Sequence, residues 1–383
     1  MSSTVYLYLV HTRDCQVHKP ACRYVGHERP NSINAQTLEI IYKTNDKVKA
    51  IILENFGGIE NFKLQEVENP KINDNDALIK IKATAFNPVD YQMRQGSAES
   101  KLLKSPILGR ELSGDIIGIG KNVAGFKIGD KVTAYVGSLG SNGTYAEFIS
   151  VPEELLAKNP INLTYEQATA LPLVGMTALQ CFERVKIPKG KAVFISGGTG
   201  AVGTVLIKLL MAKGSHPIFT TAGNEDSFKH LIELGLSKEN IIDYKNNDLL
   251  PVLRTKTANG TFEYIIDLVG GKMSEICAEL IDVYGTYVDI TFLTTQKAKE
   301  TLFAKATSII NIANYAQTYK TEEGKLSYYG KSLKELFSKI ERNEISPANI
   351  NIVGDLSIET VGKAHQLMEE NQTKGKKLIM KIE

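Results

Sequence analysis

The feature that most constrains the fold is a strand, a glycine turn and a helix in unbroken succession across 191–214, KAVFISGGTGAVGTVLIKLLMAKG. Residues 192–196 form an apolar run of strand length, and 202–213 has the length and composition of a helix. Between them lies Gly198-x-Gly200-x-x-Gly203. A glycine triplet alone describes any tight turn. At the junction of a strand and a helix, however, it lets backbone N–H groups at a helix N-terminus approach a pyrophosphate. The pattern points to dinucleotide binding by a parallel α/β sheet.

The downstream sequence agrees. HPIFTTAG, DSFKHLIELG, NIIDY, FEYIIDLVGG, KMSEICAELI and GTYVDIT alternate strand and helix patterns, as βαβ units do. Upstream the character differs. VKAIILENF, NFKLQEVENP and DALIKIKATAF read as short strands, the last with Leu78, Ile79, Ile81 and Ala83. Gly129-Asp130, Gly137, Gly140 and Ser141-Asn142-Gly143 punctuate two more, KVTAYV and YAEFISV. This portion reads as an all-β, barrel-like domain. TYEQATALPLVGMTALQCFER has helical spacing interrupted at Pro172. Beyond 311 the expected elements are a helix, SLKELFSKIER, and a closing helix and strand, VGKAHQLMEE and KKLIMKI. At 383 residues the chain exceeds the ~250–300 that one core supports.

Composition excludes several classes. A net charge of +2 gives no electrostatic case for a nucleic-acid binder. No apolar run approaches the ~20 residues of a membrane span. The start, MSSTVYLYLVHTR, lacks a charged leader region and a small-residue cleavage site, so no signal peptide is read. Four cysteines, Cys15, Cys22, Cys181 and Cys277, are too sparse for a disulfide framework and fit a reducing compartment. A cytoplasmic protein is expected, with Cys181 and Cys277 as core residues.

The second strand of the α/β portion ends in Ala222-Gly-Asn-Glu-Asp-Ser227. An NAD site usually places an acid at that strand end for the ribose 2′-hydroxyl. Here the end is small and neutral, and Glu225 and Asp226 suit the first turn of the next helix. That favours NADP(H) over NAD(H), although no Arg or Lys sits at the strand end to clamp a 2′-phosphate.

From Val48 to Glu383 the chain resembles the medium-chain dehydrogenase/reductase superfamily, and within it the zinc-free quinone oxidoreductase and enone reductase branch. The motifs that carry the resemblance are VKAIILENFGG, AFNPVDYQMRQG, GRELSGDIIGIGKNVAGFKIGDKV, GTYAEFISVPEELLAKNP, ALPLVGMTAL, SGGTGAVG and FEYIIDLVGG. The resemblance implies an α/β protein in which a GroES-like β-barrel catalytic domain, 48–172 and 315–383, is split by a Rossmann-fold NADP(H)-binding domain, 173–314. It implies an active site in the cleft between them and a homodimer joined through the Rossmann sheets. Residues 1–47 are read as an N-terminal extension.

In the zinc-bearing branch one metal ligand is a cysteine within the segment aligned with 85–90, and another is a histidine where Arg110 stands beside Glu111. Neither ligand is present, the closely spaced cysteines of a structural zinc lobe are missing, and a guanidinium has no lone pair to give a metal. No catalytic zinc is expected. Alcohol oxidation then lacks a Lewis acid to lower the pKa of its hydroxyl. Reduction of a quinone or an α,β-unsaturated carbonyl needs only hydrogen-bond donors at the developing oxyanion.

The resemblance places 87–94 at the cleft. Asn87 would hold the nicotinamide end and Tyr91 would donate to the substrate oxygen, the alternative being that Tyr91 only packs. Asp90 and Arg94 read as an i,i+4 ion pair shaping the loop. Gln92 stands where some enone reductases carry a lysine. Arg110 would pair with Glu111 or another cleft acid, or bind an anionic substrate. For the cofactor, the resemblance carries Thr177 to the nicotinamide ribose, Gly198, Thr199, Gly200, Ala201 and Val202 to the pyrophosphate, and Val269 to the nicotinamide edge. Asn224, Ser227 and Tyr244 fall at the adenosine phosphate, Ser227 where several relatives place a lysine.

The extension holds His11, Cys15, His18 and Cys22, four soft ligands in one short segment. Such compact spacing makes it difficult for all four to surround one ion, and Pro20 opposes a continuous helix. An accessory metal module and a surface tail both remain as readings. For the whole chain, the leading expectation is an NADP(H)-dependent, zinc-independent reductase of a small-molecule quinone or enone. The alternatives are a zinc-type alcohol dehydrogenase relative and a non-catalytic dinucleotide-binding scaffold or redox sensor.

Overall fold

The computed structural model describes residues 47–137, 143–214 and 216–383. The extension with His11, Cys15, His18 and Cys22 lies outside them, as do residues 138–142 of the glycine-punctuated segment 137–143. The chain opens with a hairpin of β1 (Lys47–Leu53) and β2 (Phe62–Glu68), paired antiparallel. Next come β3 (Asp76–Ala85), α1 (Pro88–Arg94), β4 (Glu111–Ile119), β5 (Lys131–Tyr135), β6 (Phe148–Pro152) and β7 (Leu156–Lys158). β3 is the hub, antiparallel to both β4 and β6. Its apolar side chains Leu78, Ile79, Ile81, Ala83 and Ala85 are all buried, as a strand covered on both sides requires. The helical stretch interrupted at Pro172 is two helices, α2 (Tyr165–Thr169) and α3 (Pro172–Val185). Pro172 opens the second, where its missing N–H would have had no helical partner.

The glycine turn introduces the second sheet. β8 (Val193–Ser196), α4 (Ala201–Lys213), β9 (Ile218–Ala222), α5 (Glu225–Glu233), β10 (Ile241–Asp243), α6 (Leu249–Arg254), β11 (Phe262–Asp267), α7 (Lys272–Leu280), β12 (Ile281–Asp289), α8 (Gln296–Ala304) and β13 (Ser308–Asn311) follow in order. All pairings are parallel, in the order β10-β9-β8-β11-β12-β13. The chain leaves β8 first toward β9 and later returns to its other side at β11. That makes the boundary between β8 and β11 the switch point, where open α/β sheets bind ligands beyond the strands' carboxyl ends. Residues 291–328 hold α8 and β13: Ala298 and Leu302 of α8 pack into the core against the sheet, and β13 pairs with β12.

The chain then returns to the first sheet. After α9 (Ser327–Glu341), strands β14 (Ile350–Asp355) and β15 (Lys377–Lys381) flank α10 (Ile358–Glu369). β15 pairs antiparallel with β3, giving the sheet order β14-β15-β3-β4-β5-β7. The GroES-like sheet is thus built from both sides of the inserted Rossmann sheet. α9 ties the two: a Cβ at Gly330 would stand 2.4 Å from the carbonyl oxygen of Glu154. On another face its Leu336 reaches within 2.9 Å of where a Cβ would sit on Gly175 of α3. Cys181 and Cys277 are buried free thiols, as expected, and burial pushes Cys181 up to about 12.

Candidate functional site

β8 ends at Ser196 and the chain turns through Gly197, whose φ of 68° suits glycine. A Cβ on Gly198 would strike Thr220 Oγ1 of β9 at 2.2 Å, and one on Gly203 would come within 2.6 Å of the Gly198 Cα. Those two glycines close the turn against its own scaffold. Gly200 is different: the only neighbour of its Cβ direction is the Gly197 carbonyl oxygen at 3.3 Å, which leaves the approach to the N-terminus of α4 open. Thr220 Oγ1 fixes the turn by accepting from Gly198 N at 3.0 Å while donating to Ile195 O at 2.7 Å. Thr199, Ala201 and Val202 complete this cap. The first turn of α4 carries no acid, so its free N–H groups present an unopposed anion site.

The ends of β9 and β10 bring Asn224, Ser227 and Tyr244 to the same edge. Asn224 caps α5, its Oδ1 accepting from Ser227 N at 2.8 Å, and Glu225 and Asp226 occupy the first turn as expected. The Tyr244 ring, half exposed, lies over Gly223, where a Cβ would be 2.5 Å from its hydroxyl oxygen.

Toward β11 the turn is held by a buried carboxylate that nothing in the sequence singles out. Asp267 Oδ1 accepts from Ser196 Oγ at 2.6 Å and from the backbone N–H groups of Val269 and Gly270, both at 3.0 Å. Its Oδ2 accepts from Tyr287 OH at 2.8 Å. Val269, half exposed, stands above Gly197, so that a Cβ there would lie 2.9 Å from Val269 Cγ2. Thr177 is buried in α3: its hydroxyl donates to Leu173 O at 2.7 Å and accepts from Asn314 Nδ2 at 2.9 Å. The sequence did not point to Asn314.

The GroES-like lobe contributes a closed polar network. Glu111 Oε1 accepts from Asn87 Nδ2 at 2.8 Å and lies 2.5 Å from Lys377 Nζ, while its Oε2 accepts from Leu173 N, at the start of α3, at 2.7 Å. Lys377 Nζ also donates to Asn87 Oδ1. Asn87, Glu111 and Lys377 are all buried. Four segments distant in sequence therefore meet in one charge-neutral cluster, and Lys377 is the member that sequence reasoning missed.

Of the partners expected for Arg110, Glu111 or another acid, the structure gives the second: Arg110 donates from Nη2 to Glu99 Oε2 at 3.0 Å and from Nη1 to Tyr135 OH at 3.1 Å. One expected pairing is corrected. Arg94 does not pair with Asp90. It forms an ion pair with Glu369 of α10, while Asp90 Oδ2 accepts from Asn87 N at 2.8 Å and caps α1. Burial raises the Asp90 carboxyl to about 7 against the opposing pull of Arg110. Tyr91 is half-buried on α1 and packs against the main core. Gln92 is also half-buried. A small cleft is lined by Asp90, Met93, Leu108, Gly109, Arg110 and Gly137.

The donor set does not fit a catalytic zinc. Residues 85–90 hold no Cys or His, the Arg110 guanidinium has no lone pair to give a metal, and both oxygens of Glu111 are committed to other partners. Among the described residues no three His, Cys, Asp or Glu side chains gather in a metal-binding group.

Two family models match the chain: the alcohol dehydrogenase GroES-like domain over residues 73–161 and the zinc-binding dehydrogenase over 236–379. A zinc-type alcohol dehydrogenase-like protein of Staphylococcus epidermidis is 28% identical over 319 residues, covering 81% of this chain and 92% of its own. The chloroplastic NADPH-dependent alkenal/one oxidoreductase of Arabidopsis thaliana is 26% identical over 344 residues, covering 88% of this chain and 80% of its own. Among solved structures, the quinone oxidoreductase of Coxiella burnetii superposes with a TM-score of 0.71 at 27% identity, covering 88% of this chain and all of its own.

Proposed function

The chain belongs to the medium-chain dehydrogenase/reductase superfamily, and from that premise we propose that it is an NADP(H)-dependent, zinc-independent reductase of quinones or α,β-unsaturated carbonyls. The observation that carries this reading is the closed cluster of Asn87, Glu111 and Lys377. An ammonium ion and amide groups satisfy both oxygens of the Glu111 carboxylate, which supports a reaction that does without the Lewis acid alcohol oxidation needs. The named activities of the Arabidopsis and Coxiella relatives support the same class.

In this reading the turn from Gly198 to Val202 receives the pyrophosphate on the N-terminus of α4. Asn224, Ser227 and Tyr244 take the adenosine end, and the neutral strand end favours the 2′-phosphate. Thr177 and Val269 border the nicotinamide, which when bound supplies the hydride. Asn87 is held rigid by Glu111 and Lys377 and forms the fixed wall against the nicotinamide end. Tyr91, or water, returns the proton to the reduced substrate oxygen. The partner is a small electrophile rather than nucleic acid, and no helix among the described residues is long and apolar enough to cross a membrane. Two buried free thiols fit a reducing, cytoplasmic setting. We also place a second copy of the chain at the free edge of β13.

The test is consumption of NADPH by the purified, chelator-treated protein with an ortho-quinone and a simple enone, with NADH as control. Turnover that survives chelation and prefers NADPH is expected. Activity lost to the chelator and restored by zinc would move the protein to the alcohol dehydrogenase reading. NADPH binding with no turnover on either acceptor would move it to the scaffold or redox-sensor reading.

A further inference from the structure

Phe292 follows the carboxyl end of β12 with 89% of its surface exposed and a backbone φ of 59°. An exposed ring gains nothing from packing, and a bulky side chain enters the left-handed region only at a cost. The conformation is nevertheless fixed from several sides. Asp289 Oδ1 accepts from Thr291 N at 3.0 Å and from Phe292 N at 2.9 Å, and its Oδ2 accepts from Thr294 Oγ1 at 2.7 Å. Leu293 O accepts from Gly271 N at 2.9 Å. Thr294 Oγ1 is 3.2 Å from Tyr287 OH, which donates to Asp267, the carboxylate that also holds the glycine turn through Ser196. A chain of polar groups, Thr294 part-buried and Tyr287, Asp267 and Ser196 buried, therefore fixes Phe292 relative to the dinucleotide turn.

Its surroundings are apolar and open. Leu293, 53% exposed, has its Cβ 2.6 Å from where a Cβ would sit on Gly270, and Val269, 45% exposed, stands next along the same sheet edge above Gly197. Every strand of this sheet runs parallel, so the glycine turn, Val269, Leu293 and Phe292 all lie at its carboxyl edge, the turn on the β8 side of the switch point and the three side chains beyond it, after β11 and β12. Strain that the structure over-determines at a ligand edge is characteristic of a binding posture rather than of packing.

We propose that Phe292, flanked by Leu293, is a substrate-contacting platform on which a planar conjugated acceptor stacks, and that it sets the preference for such acceptors over small ones. The inference rests on the reductase reading above for its substrate class.

The test compares the full-length protein with Phe292→Gly and Phe292→Tyr, using 4-phenyl-3-buten-2-one and methyl vinyl ketone as acceptors. Phe292→Gly is expected to raise KM for the phenyl enone by roughly tenfold, the scale of one lost aromatic stacking contact, and to leave methyl vinyl ketone within about twofold. Its melting temperature should not fall, because glycine accepts the φ, and Phe292→Tyr should restore the phenyl enone. NADPH affinity, read by its fluorescence, should be unchanged. Equal KM shifts for both enones, a parallel loss of NADPH affinity, or a change in sedimentation mass would overturn the assignment in favour of a cofactor or protomer contact. If the parent protein turns over neither enone nor an ortho-quinone, the reductase reading fails separately. Phenyl enone binding to the NADPH complex, read by quenching and weakened by Phe292→Gly, would still support the platform, and no binding would refute it.

Discussion

Lys377 Nζ lies 2.5 Å from Glu111 Oε1, and both side chains are almost wholly excluded from water. A buried pair of this kind adds little net stability over an apolar replacement, but removing one partner strands the other. Lys377→Met leaves the Glu111 carboxylate with an amide and a backbone N–H as its only partners, and should cost about 3–5 kcal/mol. The double variant Lys377→Met, Glu111→Gln should recover much of that loss. Urea unfolding followed by tyrosine fluorescence is the appropriate measurement, since the chain has 16 tyrosines and no tryptophan. Additive losses in the double variant would show that the two groups are not coupled.

The difference between what the sequence disclosed and what it hid follows the range of the interactions. Gly198, Gly200 and Gly203 were legible because their roles are local: a strand, a turn and a helix adjacent in the chain. Glu225 and Asp226 in the first turn of a helix, and the break in helical spacing at Pro172, are local in the same way. Lys377 was illegible, because a lysine at the head of an apolar strand normally faces water, and only the pairing of β15 with β3 carries it to Glu111. The same holds for Arg94, whose in-helix partner at Asp90 looked sufficient until α10 brought Glu369 against it. Asp267 and Asp289 read as ordinary strand ends. Their importance lies in the backbone N–H groups that each gathers from the following turn.

Asp90 and His365 should give stability profiles of opposite sign. Burial raises Asp90 from 3.8 to about 7, so the folded state holds its proton more tightly. Its contribution is fully present below pH 3.8 and is lost as pH rises through about 7. His365, 3.2 Å from Tyr145 OH, is lowered from 6.5 to about 3 by burial and then by the charge of Arg94. Its contribution is present above pH 6.5 and is lost as pH falls toward 3. Melting temperatures between about pH 4 and about pH 8 should show Asp90→Asn losing the decline toward neutrality, at about 1.4 kcal/mol per pKa unit, and His365→Gln losing the acid limb. An Asp90→Asn profile parallel to the parent's would mean the carboxyl stays ionised in the fold.

Ser227 offers a direct handle on cofactor choice. It sits half-buried in the first turn of α5, with its N–H engaged by Asn224 and its hydroxyl at the edge shared with Tyr244. Ser227→Asp would set a carboxylate against a 2′-phosphate, and like charges in apposition cost several kcal/mol. The KM for NADPH should rise roughly tenfold or more, while that for NADH should change little. Equal effects on the two cofactors would place the adenosine phosphate elsewhere.

The free edge of β13 is the place to test self-association. The strand pairs only with β12, and its outer backbone groups have no sheet partner among the described residues. Unprotected edges of this kind pair with other strands unless charge or a bulge blocks them, and SIIN carries neither. Ile309 is 49% exposed on the strand, and Phe303, at the end of α8 just before it, is 88% exposed. Two large apolar side chains beside an open edge are costly in water, and a second copy of the same surface would remove them from it. Sedimentation equilibrium should therefore return about twice the 42.2 kDa chain mass. Ile309→Lys combined with Phe303→Glu should bring the mass to that of one chain while leaving the melting curve cooperative, since neither side chain supports the core. A parent protein that already sediments as a monomer would leave the edge to a different partner.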